Sequence, residues 1–168
     1  MRLFASSLAA CALFAGCASQ SPSRPAVEDE CTLATPLVPG VPGSPGHLVP
    51  SDINPNGASE LATLMRQMVT DWREIRGQLA AGQPLQRAPL LPTHRKIRCA
   101  WPTAPEDRNA AFDAMSQVYV QNVRTFDAAP SAETYRGVLA ACAACHEATC
   151  GGPLAVIEGL QLPAAAAR

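Results

Sequence analysis

Between residues 58 and 81, Leu61, Leu64, Met65, Met68, Trp72, Ile75 and Leu79 recur at steps of three and four. That spacing sets all seven on one side of a helix, and such an apolar stripe has to be covered by other elements. Gly82 and Pro84 stop the run, one by favouring a left-handed cap and the other by lacking a backbone donor. Three further stretches repeat the pattern. Residues 89–100 carry Leu90, Leu91, His94 and Ile97 inward, with Trp101 just beyond and Pro102 as the stop. Thr103-Ala104-Pro105-Glu106 has the form of a capping box with proline in the first turn. It opens a third helix faced by Phe112, Met115, Tyr119, Val123 and Phe126. Pro130-Ser131 breaks the chain and caps a fourth helix over 132–148, which presents Tyr135, Leu139, Cys142 and His146. No alternating strand pattern occurs. Four amphipathic helices with short connections predict an all-α fold, an antiparallel four-helix bundle.

The fourth helix ends in Cys142-Ala143-Ala144-Cys145-His146, and C-x-x-C-H is the attachment motif of a c-type haem. Two thiols add across the porphyrin vinyl groups as thioethers, and the adjacent imidazole of His146 reaches the iron. Ala143 and Ala144 let the backbone lie close to the ring. Three other readings compete. A thioredoxin-like dithiol needs a βαβ setting, and these flanks are alanine-rich and helical. A zinc site would recruit Cys142, Cys145, His146 and Cys150 tetrahedrally. A disulfide within the motif is disfavoured, because cysteines three apart on a helix are badly placed to bond.

The N-terminus gives an address that agrees with haem c, which is attached outside the cytoplasm. Residues 1–16 read as an export signal: Arg2 supplies the positive start and Leu3 to Phe14 is almost wholly apolar or small. The run is too short to span a bilayer as a mature helix. It closes in Phe14-Ala15-Gly16-Cys17, which resembles a bacterial lipobox, so Cys17 is expected to carry lipid. An ordinary signal-peptidase site before Ala18 is the alternative. Both make the chain exported, periplasmic or outer-membrane-anchored, with the membrane reached through lipid on Cys17. The net charge of −1 comes without a basic patch and with few aromatics, which argues against nucleic acid as a partner.

From residue 17 to 57 proline, glycine and serine are dense, as in Pro39-Gly40-Val41-Pro42-Gly43-Ser44-Pro45-Gly46. Proline removes backbone donors and the run lacks a periodic apolar face, so an extended, mostly irregular tether is expected. Residues 58–168 then form one domain of ordinary size, the bundle with a short C-terminal tail. In an up-down-up-down bundle the end of the fourth helix lies beside the start of the first. The haem on His146 would therefore sit where Met65 and Met68 project, and the end of the second helix brings Cys99 and His94 to the same pole.

With these features the sequence resembles the cytochrome c′ superfamily. The likeness covers residues 58–148 and rests on C-x-x-C-H late in the last helix and methionines early in the first. The Cys150-Gly151-Gly152-Pro153-Leu154 tail resembles the C-P-G-P-[LI] ending of a related group of bacterial haem lipoproteins, with Gly151 where proline is usual. The resemblance implies one covalent haem c held by Cys142 and Cys145, with His146 as proximal ligand. It also implies either an open distal face or one filled by a first-helix methionine. Met65 is the expected distal ligand, with Met68 and His94 as alternatives. Related bundles often dimerise, so a homodimer belongs to the same expectation.

Seven cysteines then divide by role. Cys11 leaves with the signal, Cys17 takes lipid, and Cys142 and Cys145 take haem. Cys31, Cys99 and Cys150 remain, an odd number for an oxidising compartment. Shared position at one pole makes Cys99–Cys150 the preferred disulfide, with Cys31 as the other partner for either. The function expected is a one-electron carrier working with redox partner proteins. The alternative is a five-coordinate protein binding nitric oxide or carbon monoxide. Catalysis is not expected: a peroxidase wants a distal His/Arg pair, and His94 and Arg95 are neighbours facing different ways. Arg66, Arg73, Arg76, Arg95, Lys96 and Arg98 are mostly a solvated face, with Arg66 and Arg98 nearest the haem pole and open to a propionate contact.

Overall fold

The computed structural model describes residues 31–149 and 151–163, and among these the fold is all-α, with five helices and no strand. Helix α1 spans Glu60–Ala80. It starts where the Ser59 hydroxyl accepts a hydrogen bond from the Ala62 amide at 3.1 Å, with Glu60 in the first turn facing the positive end of the helix dipole. It ends before Gly82, whose φ of +63° is the left-handed cap the sequence called for. Met68, Trp72 and Ile75 are buried along its inner stripe, and Leu61, Leu64, Met65 and Leu79 are half-buried beside them. The expected face is therefore the one that packs.

The second helix is shorter than its pattern suggested. Helix α2 spans only Leu91–His94, and a 3₁₀ turn over Arg95–Arg98 continues it. Its start is held by Asp127, whose carboxylate accepts from the Leu90 amide at 3.2 Å and the Leu91 amide at 2.9 Å. Both Ile97 and Arg98 are buried in this turn, Ile97 in the apolar cluster and Arg98 against Asp113.

The expected capping box does not form. Thr103 bonds across to the Ser59 hydroxyl at 3.1 Å, and Pro105–Asp107 makes a single 3₁₀ turn. Helix α3, Ala110–Ala128, begins instead at Asn109, whose side chain accepts from the amides of Ala111 and Phe112. Asparagine is among the best N-cap residues, and Thr103 is already committed to a tertiary contact. Phe112, Tyr119, Val123 and Phe126 point inward as expected, Met115 is half-buried, and Ser116 and Val120 join them.

Helix α4, Ala132–Thr149, opens on a reciprocal cap between Ser131 and Thr134. It packs most closely on α3, from which a three-residue connection separates it. A fifth helix, α5, Leu154–Glu158, was not anticipated. It folds the tail back over α4 and buries Ile157 and Leu160. The Tyr135 hydroxyl donates to the Leu160 carbonyl at 2.7 Å, and Arg76 Nε donates to the Gln161 carbonyl at 2.8 Å. The tail is thus tied to α4 and α1 together.

Residues 31–57 are irregular, as their composition implies, but they lie against the helices rather than lead away from them. Trp101 Nε1 donates to the Val38 carbonyl at 2.6 Å, and Arg108 donates to the carbonyls of Thr32 and Thr35, each at 2.7 Å. Val49 and Ala58 exchange two backbone hydrogen bonds. At Gly43 the chain crosses the start of α1, with φ +92° and its carbonyl accepting from the Glu60 amide at 3.1 Å. A Cβ there would fall 2.1 Å from that nitrogen, so only glycine fits. This part of the segment is a strap rather than a free spacer.

The strap also corrects the disulfide. Cys31 is bonded to Cys99, with Cα atoms 5.4 Å apart, so Cys99 is not available to Cys150. Helix pattern alone placed Cys99 at a pole without showing that residues 31–57 return across it. Cys150 lies outside the described residues, as do Cys17, the export signal and the lipobox.

Candidate functional site

Helix α4 carries all three motif residues, Cys145 buried and Cys142 and His146 half-buried. Tyr135, Val138 and Leu139 anchor it in the core, and the same stripe continues into Cys142, one turn before His146. Cys142 packs against the apolar cluster that contains Met68, and Met65 joins that cluster from the same face of α1. Both methionines are therefore brought to the core that Cys142 enters, Met68 at 4% exposure and Met65 half-buried. Cys145 is 7% exposed and His146 is half-buried.

Neither motif thiol is bonded to another cysteine. Burial pushes the Cys142 thiol up to about 12, with the neighbouring Cys145 adding to the rise. Burial also raises Cys145, while a hydrogen bond from Thr149 opposes it. Thiol redox chemistry and zinc binding both use the thiolate. In the metal-free chain both motif thiols are held neutral. Among the described residues, no three His, Cys, Asp or Glu side chains are grouped to hold a metal ion.

His94 is held inside the core by other side chains. It is fully buried, and both ring nitrogens are engaged: Nδ1 with the Tyr119 hydroxyl at 2.7 Å and Nε2 with Asp71 Oδ2 at 2.9 Å. Trp72 lies edge-on to its ring at 5.4 Å. Burial lowers its pKa, against the opposing pull of Asp71. Arg98 is likewise committed, its guanidinium paired with Asp113.

The line running Trp72, Tyr119, His94, Asp71 was not anticipated as a unit. Trp72 Nε1 donates to the Tyr119 hydroxyl at 3.0 Å, completing a polar chain through an otherwise apolar core. Its signal in the sequence is His94 on an apolar face, a position that calls for buried partners. Asp71 is the end nearest solvent and lines an open cleft of about 300 Å³, with Gln67, Glu74, Arg87, Leu90 and Thr93. Asp127 escaped notice too, because a carboxylate capping another element leaves no local spacing. It holds Arg87 at 2.8 Å as well as the start of α2.

The arrangement leaves two neutral thiols and an imidazole at the end of an apolar-faced helix, and two methionines of α1 belong to or border the apolar cluster that Cys142 packs against. That donor set fits thioether attachment of a porphyrin, which needs thiols unclaimed by a disulfide. No family model, curated protein or solved structure matches this chain.

Proposed function

We propose that this chain is an exported monohaem cytochrome of the c′ superfamily type, acting as a one-electron carrier rather than an enzyme. In this reading α1, the helical segment over residues 91–98, α3 and α4 are the four rods of the bundle. Cys142 and Cys145 hold haem c through thioethers and His146 is the proximal ligand. Met65 or Met68 of α1 is the distal ligand, and His94 has no part in ligation. When bound, haem c supplies a one-electron iron couple, whose potential a thioether ligand raises relative to a second imidazole. The chain's own contribution is to fix these donors and to exclude water with the cluster around Met68, Trp72 and Leu139.

The observation that carries the reading is the division of cysteines. Cys31 and Cys99 are joined, while the two cysteines of the attachment motif remain as thiols on one helix. Lipid on Cys17 holds the carrier at the periplasmic or outer-membrane surface, where redox partner proteins meet it. No helix among the described residues is long and apolar enough to cross a membrane.

The test is to mature the full chain in a bacterium able to attach haem c. Denatured protein should keep its colour in acid acetone and gain the mass of one haem. Reduced protein should give sharp low-spin bands that carbon monoxide leaves unmoved. Colourless protein, or haem that extracts freely, refutes attachment; a spectrum that shifts with carbon monoxide replaces the carrier with a gas binder.

A further inference from the structure

The polar line through the core has only one consistent direction. Indole nitrogen can only donate, so Trp72 Nε1 donates to the Tyr119 oxygen at 3.0 Å. At the other end the Asp71 carboxylate accepts from His94 Nε2 at 2.9 Å. The imidazole therefore carries its proton on Nε2, and its bare Nδ1 accepts the Tyr119 hydroxyl proton at 2.7 Å. Asp71 is steadied by a second donor, Gln67 Nε2 at 2.8 Å, and opens onto the cleft beside Thr93. The charges of Asp127 and Arg87 also act on His94, with opposite signs.

Tyr135 provides the contrast within the same core. Its hydroxyl donates to the carbonyls of Leu160 at 2.7 Å and Trp72 at 3.4 Å, and neither oxygen is a base. A phenol loses an electron at accessible potentials only when its proton leaves with the electron. Tyr119 has a base in line for that proton and Tyr135 has none.

We propose that Tyr119 is a redox-active tyrosine with His94 as its proton acceptor and Asp71 as the group that stabilises the resulting imidazolium. A strong outer-sphere one-electron oxidant takes an electron from the phenol ring and is itself reduced by one electron. The Tyr119 O–H bond breaks and an N–H bond forms at His94 Nδ1, leaving a neutral tyrosyl radical and an imidazolium whose Nε2 proton stays bonded to Asp71. A one-electron donor reverses both transfers. The site gives strongly oxidising equivalents that reach the core a defined place to rest, and it requires no particular cofactor, so it stands independently of the carrier reading.

The test uses the full, oxidised protein with photogenerated tris(bipyridyl)ruthenium(III) as oxidant and freeze-quenched paramagnetic resonance as readout. A neutral tyrosyl radical is expected, lost in Tyr119→Phe and kept in Tyr135→Phe. Its formation should slow in deuterium oxide, and should slow by at least about tenfold in His94→Gln, the scale of a barrier raised by roughly 1.4 kcal/mol. Asp71→Asn, at the cleft end, should slow it as well while leaving the Tyr119 surroundings in place. A radical that survives Tyr119→Phe overturns the proposal. So does a rate indifferent both to deuterium and to Asp71→Asn, a result available even where a core variant fails to fold.

Discussion

The guanidinium of Arg98, only 8% exposed, grips Asp113 through both of its carboxylate oxygens, at 3.0 and 3.1 Å. The pair ties the 3₁₀ turn to the first turn of α3, one residue from the disulfide cysteine Cys99. Removing one partner strands a largely buried charge. Arg98→Ala should therefore cost about 3 kcal/mol in urea unfolding, and Arg98→Lys, which keeps the charge but loses the fork, should recover only part of it.

Reduction of Cys31–Cys99 should lower stability by about 2–4 kcal/mol, because the bond closes a long loop and restricts the unfolded chain. Thermal unfolding with and without reductant measures this. Cys31→Ser should reproduce the reduced behaviour, whereas Cys150→Ser should leave the midpoint unchanged.

His94 makes stability depend on pH with a defined sign. Its pKa lies below the usual 6.5 because burial opposes the charged ring. As pH falls past that value the unfolded chain takes up a proton that the folded imidazole refuses. Stability is thus full above the unfolded pKa and declines on acidification below it. The unfolding free energy should fall from about pH 6.5 downward, and His94→Gln should flatten this slope.

Tyr135→Phe deletes the hydroxyl that holds the Leu160 carbonyl while keeping the ring that packs on Trp72 and Phe126. The expected loss is about 1 kcal/mol in global stability. Amide exchange should rise chiefly in residues 154–162, and Arg76→Ala should act in the same place through the Gln161 carbonyl. Equal increases throughout α1 and α3 would contradict the tail's local attachment.

The motif thiols should react in an all-or-none manner. In chain matured without haem, Cys145 is 7% exposed and Cys142 is half-buried, so alkylation should be slow in native buffer and complete in denaturant. In chain carrying thioethers, neither cysteine should react under either condition, as peptide mass mapping of residues 132–149 would show.

Much of the helical framework was legible because burial leaves a period. The stripe of α1, the inner face of α3 and the Ser131 cap all follow from spacing and local hydrogen bonding. The strap was legible as irregular chain, yet nothing in proline and glycine content says whether such chain docks. Trp101 and Arg108 dock it through its backbone carbonyls, a contact indifferent to the side chains it meets. The disulfide partner was misjudged for the same reason. Helix α5 is five residues long, too short for its pattern to stand out, although Pro153 followed by Leu154 and Ile157 is a start with one apolar side. At the site, the thiols and imidazole announced themselves through a motif. The line from Trp72 to Asp71 joins residues from three elements, and no local spacing records such a meeting.

Gly43 gives the strap its sharpest dependence on a single hydrogen atom. Where it passes over the Glu60 amide, a Cβ would run into the backbone of Ser59 and Glu60. Any larger residue would pry that crossing open, leaving the strap to its disulfide, its Trp101 and Arg108 bonds and the Val49–Ala58 pair. The seal over the opening turn of α1 is in this sense written at one position, by the absence of a side chain.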